Sequence, residues 1–236
     1  MKYEKREDGR KFDEMRKMKA KVGIIKRADG SAMFQMGDTI AVAAVYGPRE
    51  LHPKFMQNPR KGILRCNYDL LSFSVPERKR PGPNRRSTEI GLVTKNALLP
   101  VLQLDEFPNT VTDVFIEIIQ ADAGTRCAGI CAASMALADA GLPMKDLVAA
   151  VSVGKVGDKI VVDLNKEEED FEGGCTDIPV AVTPRTGEIT LLQLDGEVTK
   201  EELKQALELA KKACHEIYKV QQNAIKEVYK EIGKDE

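Results

Sequence analysis

Apolar positions recur at every second residue through much of the first half of the chain, and at every third or fourth near its end. Lys21–Lys26 (KVGIIK) and Ser31–Met36 each predict a short strand, broken by Ala28-Asp29-Gly30 and by Gly37-Asp38. Thr39–Tyr46 (TIAVAAVY) is apolar enough to be buried on both faces, so the three runs together predict a meander. Leu64–Ser74 predicts another strand. From Thr88 the pattern turns helical, with Ile90, Val93, Ala97 and Val101 on one face.

Val111–Ala121 alternates, its more apolar face being Thr112, Val114, Ile116 and Ile118. Cys127–Ala140 predicts a helix of small residues, stopped by Gly141 with Pro143 just beyond. Val148–Val153 and Ile160–Leu164 predict strands around a Val156-Gly157-Asp158-Lys159 turn, and Ile178–Thr183 and Ile189–Leu194 two more. Thr199, with Glu202 three residues on, predicts the capped start of an amphipathic helix running through Leu203, Ala210, Cys214, Ile217 and Val228. At about 1.5 Å per residue, roughly 30 residues span about 45 Å. The class is α+β, a two-layer arrangement of mixed β-sheets packed with helices, closed by a long C-terminal helix. With no repeat and no linker, residues 1–236 read as one domain.

Composition narrows the compartment. The chain carries 36 Lys and Arg against 37 Asp and Glu, and no apolar run approaches the length that spans a bilayer. The charged start MKYEKREDGRKFDEMRKMK has no apolar signal region. The expectation is a soluble cytoplasmic protein with no membrane contact. Five cysteines without a CxxC pair fit reduced thiols, and Cys127 and Cys131, one helical turn apart, fit small core residues. His52 and His215 have no carboxylate at a useful spacing, so a His-based triad or metal site is not expected, and both predict surface positions.

Against this near-neutral background, Arg78–Ser87 (RKRPGPNRRS) gathers five cations and no acid in ten residues. Prolines stiffen it, and Arg85-Arg86 abut a predicted helix. Fixed arginines make bidentate contacts to phosphate, and single-stranded nucleic acid threads such basic channels. Aromatic residues are only 5% of the chain, which favours grip on a backbone over base reading. A second stretch, Ala121–Arg126 (ADAGTR), ends a strand, turns at Gly124 and offers Thr125 as the cap of a helix beginning with Arg126. Free N–H groups, a hydroxyl and a guanidinium would converge there as an anion site. Taken alone, the same pattern also describes an ordinary strand–turn–helix join. A third stretch is acidic, Glu167–Asp177. Glu167–Glu169 read as solvated, whereas Asp177, at the mouth of an apolar strand, is placed to act as a general acid or to hold a divalent cation.

In this order and spacing the three stretches resemble the RNase PH family, most closely its catalytic archaeal-exosome branch. The resemblance also covers Ala28–Ser31, Met36–Thr39, Ala43–Pro48, Phe73–Pro83, Phe115–Glu117, Gln120–Arg126, Ala136–Gly141 and Asp163–Asn165. It implies an RNase PH-like fold and 3′→5′ phosphorolysis of RNA, in which inorganic phosphate attacks the terminal phosphodiester and a nucleoside diphosphate leaves, with addition in reverse. It places the phosphate on Gly124, Thr125, Arg126 and Arg86. It places RNA on Arg85 and Arg86, with Arg60, Lys61 and Arg65 as weaker contacts. Catalysis falls to Asp177, Asp170 and Arg126, and a divalent cation, Mg2+ by expectation, to Asp177 and Asp170. Asp170 precedes Asp177 by seven residues, one more than in the family pattern.

The implied partners are single-stranded RNA, a non-catalytic RNase PH-like paralogue in a heterohexameric ring, and RNA-binding cap subunits. Three rival readings are a bacterial-type enzyme trimming tRNA 3′ ends, a non-catalytic RNA-binding ring subunit, and a phosphate-dependent enzyme acting on small nucleosides. The intact Thr125-Arg126 and Asp177 disfavour the second, and the basic loop disfavours the third.

Overall fold

Alternating and fully apolar strands need a covered face, and two sheets sharing one helix supply it. The computed structural model describes residues 3–77 and 79–232, so Arg78 of the basic run lies outside the described residues. The first sheet contains β1 (Met18–Val22), β2 (Gly30–Met36), β3 (Thr39–Glu50), β4 (Ile63–Leu70) and β5 (Thr110–Gln120), in the order β1-β2-β3-β5-β4. Its strands pair antiparallel except β4 with β5. The second sheet is antiparallel, ordered β7-β6-β8-β9, from β6 (Ala149–Val156), β7 (Lys159–Val162), β8 (Cys175–Thr183) and β9 (Glu188–Leu192).

Four helices complete the chain: α1 (Arg85–Leu98), α2 (Thr125–Asp139), α3 (Lys166–Glu169) and α4 (Lys200–Ile232). Small residues let α2 be buried on every side, so it packs on β2, β3 and β5 of one sheet and on β6 and β8 of the other. One apolar cluster therefore runs from Phe34 and Ile116 through Ile130 and Met135 to Val151 and Val180. The amphipathic α4 lies along β6, β7, β8 and β1. Its start carries the expected capping box, Glu202 N–H donating to Thr199 Oγ1 (3.3 Å) and Thr199 N–H to Glu202 Oε2 (2.8 Å). Among the described residues no helix is long and apolar enough to cross a membrane.

Four local expectations need correction. The first strand lies at Met18–Val22, not Lys21–Lys26, because Met18, Ala20 and Val22 turn inward while Lys19 and Lys21 stay exposed. β4 stops at Leu70, short of Ser74, where Lys79 Nζ binds the Leu70 carbonyl (2.7 Å) and the Asp69 carboxylate. α1 begins three residues before Thr88. Asn84 and Ser87 cap it reciprocally, each side chain accepting the other's N–H at 2.8 Å.

The acidic run is the fourth. Glu168 is buried in α3 and takes the wholly buried Arg6 guanidinium at 2.7 and 2.8 Å, together with the Tyr3 hydroxyl at 2.8 Å. Arg6 also donates to the carbonyls of Lys11, Glu14, Val162 and Asp163, which ties the N-terminal arm to the acidic loop. Glu168→Ala leaves a buried cation without this carboxylate, so a loss of about 3–5 kcal/mol is expected in denaturant unfolding. His52 and His215 are exposed, and Cys127 and Cys131 are buried.

Candidate active site

Two helix starts open toward one place. In α1, Arg85 and Arg86 occupy the first turn, where the helix dipole disfavours cations, and no acid accompanies them. Such a local conflict is expected where an anion is to be held. In α2, Gly124 is the N-cap with φ 59°, and Ala123 before it has φ 55°. Two successive left-handed residues turn the chain out of β5. Glycine takes that conformation freely, whereas Ala123 costs on the order of 1–3 kcal/mol.

Thr125 is therefore the first helical residue and not the cap expected for it. Gly124 has no side chain to cap with, and among the described residues the Thr125 and Arg126 N–H groups meet no protein acceptor. They are left to an outside anion.

The turn is braced from below. Thr39 Oγ1 accepts the Asp122 N–H (3.0 Å) and contacts the carbonyls of Asp122 (2.8 Å) and Ala123 (2.7 Å). The buried Arg16 binds Asp163 through Nε (3.0 Å) and Nη2 (2.7 Å), and reaches Asp122 Oδ2 at 3.1 Å. Asp122 Oδ1 in turn accepts the Lys166 N–H at 3.0 Å. Arg16 and Asp122 thus lock the ADAGTR turn to the loop carrying the carboxylates. Between Asp170 and Asp177 the chain makes the Phe171–Gly174 turn, closed by Gly174 N–H to Phe171 O (3.0 Å). Phe171 itself packs edge-on to Tyr3.

Asp177 lies in β8 opposite Gly154, and its Oδ1 accepts from Ser152, two residues along the facing strand. Burial raises the Asp177 pKa, opposed by the Ser152 bond and by Arg126, reinforced by Asp195 and opposed again by Arg86. Backbone bonds in both directions (3.0 and 2.9 Å) hold Asp195 beside it. Glu169 is raised too, first by burial and then by Asp177, against the pull of Lys166 and Arg86. Asp170 is exposed, and its Oδ1 is bound by Lys166 Nζ at 2.7 Å. Arg126 Nη1 donates to Gln193 Oε1 at 2.6 Å, which aims the guanidinium along the cleft.

A cleft of about 710 Å3 is lined by Arg86, Gly124, Thr125, Arg126, Asp170 and Asp177, and by Ser152, Glu169 and Tyr68. A recess of about 600 Å3 shares Arg86, Arg126 and Asp177 with it and adds Arg85, Gln193 and Asp195. Three separate stretches of sequence therefore meet. Arg60, Lys61 and Arg65 do not line either space. Arg60 and Lys61 are exposed, and Arg65 makes two bonds to the buried Asp113 (2.6 and 2.9 Å), which Arg49 also binds. Sequence reasoning missed Tyr68, Ser152, Glu169, Gln193 and Asp195. A serine inside the apolar run Val148–Val153 was the one available signal, for Ser152.

Known proteins share this sequence and fold. Residues 14–143 match the model of domain 1 of a 3′ exoribonuclease family, RNase PH, and residues 146–213 match its domain 2. The chain is 55% identical to the exosome complex component Rrp41 of Thermococcus kodakarensis, over 98% of this chain and 92% of that protein. It is 49% identical to the Rrp41 of Archaeoglobus fulgidus, over 97% and 89%. The crystal structure of rice Rrp46 superposes with a TM-score of 0.83 at 25% identity, covering 94% of this chain and all of that one. A chain of the Archaeoglobus fulgidus exosome with RNA bound to the active site shares the fold, with a TM-score of 0.77 at 24% identity, over 90% and 91%. The protein therefore belongs to the RNase PH family of 3′ exoribonucleases.

Proposed function

We propose that this chain is the phosphorolytic 3′→5′ exoribonuclease subunit of an archaeal-type exosome ring. The observation that carries the reading is one cleft holding Arg86, Arg126, the open N-terminus of α2 and Asp177. Orthophosphate sits on the Thr125 and Arg126 N–H groups and the Arg126 guanidinium. Arg85 and Arg86 hold the phosphates at the RNA 3′ end. An oxygen of orthophosphate attacks the terminal phosphorus in line, and the bond to the preceding 3′-oxygen breaks. The shortened RNA keeps a 3′-hydroxyl, and a nucleoside 5′-diphosphate leaves.

The departing 3′-oxygen takes a proton, and Asp177 is suited to deliver it because burial keeps its carboxyl more readily protonated than an exposed one. Phosphoryl transfer needs positioning and charge neutralisation more than a covalent nucleophile, which is why no Cys or His takes part. Run backwards, the same site adds nucleotides from diphosphates.

The reading includes a divalent cation, Mg2+ first. The donor set fits. Two neighbouring carboxylates whose protons are held by burial and mutual repulsion gain from a cation, and Mg2+ binds through one or two carboxylates plus substrate phosphates. Asp177 with Asp170 or Glu169 would hold it, and its charge would stabilise the phosphate oxygens. Among the described residues no three His, Cys, Asp or Glu form a closed metal cage.

A paralogous ring subunit, cap subunits that feed single-stranded RNA, and a cytoplasmic location complete the proposal. So does the treatment of residues 1–236 as one folding unit, since α2 serves both sheets. The test is product analysis of the chain with its ring partner, single-stranded RNA and phosphate. Nucleoside diphosphates are expected, formed in proportion to phosphate. Monophosphates released regardless of phosphate defeat the reading.

A further inference from the structure

Tyr68 sits on β4 with 4% of its surface exposed, yet it lines the cleft beside Arg86, Thr125 and Arg126. Its hydroxyl is fully buried and has no hydrogen-bond partner among the described residues. The Thr125 hydroxyl lies close enough to polarise the phenol without making a hydrogen bond of ordinary geometry to it. A buried hydroxyl without a partner forfeits the bond it had with water, a cost of about 1–3 kcal/mol. Such a group calls for an explanation, and at the wall of a cleft a ligand that completes it is one.

The ring around that hydroxyl is held firmly. Gly129, one turn into α2, faces it, and a Cβ there would stand 3.5 Å from Cε2 of the ring. At that distance the ring lies in van der Waals reach of the first turns of α2. From the other side, Gly91 brings α1 onto the backbone of β4 at Cys66 and Tyr68. Both helices whose N-termini open on the cleft thus press on the strand that carries Tyr68.

Resting on the phosphorolytic reading, we infer that the Tyr68 hydroxyl is a further phosphate ligand, donating its hydrogen to an oxygen of the orthophosphate seated at the N-terminus of α2. Burial pushes the phenol up to about 12, so it stays a donor and takes no part as a base. The ring is rigid and already placed, so little freedom is lost when the anion arrives. The bond adds direction to a site otherwise built from cations and N–H groups. It favours a tetrahedral oxyanion with an oxygen to spare for the α2 turn, which orthophosphate has and a nucleoside does not.

The test is Tyr68→Phe, which removes one oxygen and keeps the ring. Three things are expected. Inorganic phosphate alone, titrated calorimetrically into the chain, binds roughly tenfold or more weakly, the scale of one charge-assisted hydrogen bond. In the ring, KM for phosphate rises by a similar factor while KM for RNA holds. The melting temperature without phosphate is unchanged or higher, since an unpartnered buried hydroxyl has gone. Equal phosphate affinity in both proteins overturns the inference, as does weakened binding of RNA with phosphate affinity intact. A fall in melting temperature overturns it too, by showing the hydroxyl to be a packing partner. These results leave the phosphorolytic reading standing if the unmodified ring still yields diphosphates. Failure of the unmodified ring to need phosphate overturns both.

Discussion

Arg126→Ala is expected to lower phosphorolysis by roughly 10^3-fold or more while the chain stays folded, the scale on which a single arginine acts on a transferring phosphoryl group. Arg126 serves the site three times over. Its N–H is an open donor in the first turn of α2, its guanidinium enters both the cleft and the recess, and Gln193 fixes its direction at 2.6 Å. Alanine keeps the N–H and removes the rest. The loss should fall on kcat and on KM for phosphate together, because in the proposed reaction the charge both binds the attacking ion and stabilises it as it reacts. The fold should be spared, since the side chain is only partly buried and makes one hydrogen bond among the described residues. Single-turnover assays beside a circular-dichroism melt check this. Residual activity above a tenth of the unmodified rate defeats the assignment. Arg126→Lys should restore little, because an ammonium lacks the planar fork that grips phosphate.

Asp177→Asn is expected to lower kcat by roughly 10^2- to 10^4-fold and, above the folded pKa of the carboxyl it replaces, to raise the melting temperature. Both effects follow from one raised pKa. Burial favours the protonated carboxyl, so the folded form holds this proton more tightly than the unfolded chain does. The carboxyl therefore contributes stability in full below its unfolded pKa, and that contribution is lost as the pH rises through the folded value. Above that value the group is ionised and is a net cost. The amide carries no charge there, so the cost disappears, while its oxygen still accepts from Ser152. The melting-temperature difference between the two proteins should shrink as the pH is lowered through the folded pKa of Asp177. A difference that does not change with pH would falsify the titration argument. Rate and stability moving in opposite directions distinguish a functional acid from a structural one.

How far the sequence carried the reading depended on whether each signal was local. β2, β3, β5 and α4 were legible because burial on one or two faces writes a period of two or 3.6 into the residues themselves. The errors fell where the deciding contact was distant. Glu168 reads like the solvated Glu167 beside it until Arg6, 162 residues away along the chain, is seen against it, and Glu169 likewise proves half-buried at the cleft. The start of α1 slipped by three residues because its cap is Asn84 with Ser87 and not a Thr–Glu pair. β1 was displaced because an edge strand of alternating lysines is hard to tell from a charged arm.

The sequence by itself determined the inventory of the site: two arginines at the edge of a helix, a Gly-Thr-Arg turn after a strand, and an aspartate at a strand mouth, in an order resembling one family. Those are local patterns, set by turn chemistry and charge spacing, and they are visible without a fold. Only the tertiary structure decided that the three meet at one cleft. It also decided that Arg65 is given to Asp113, that Arg16 locks the Ala121–Arg126 turn to the acidic loop, and that Tyr68 lines the cleft with a hydroxyl unpaired among the described residues. The physical reason is that pKa shifts and unmet hydrogen bonds arise from burial. Burial is a property of two sheets closing on α2, and no single stretch of the chain contains it.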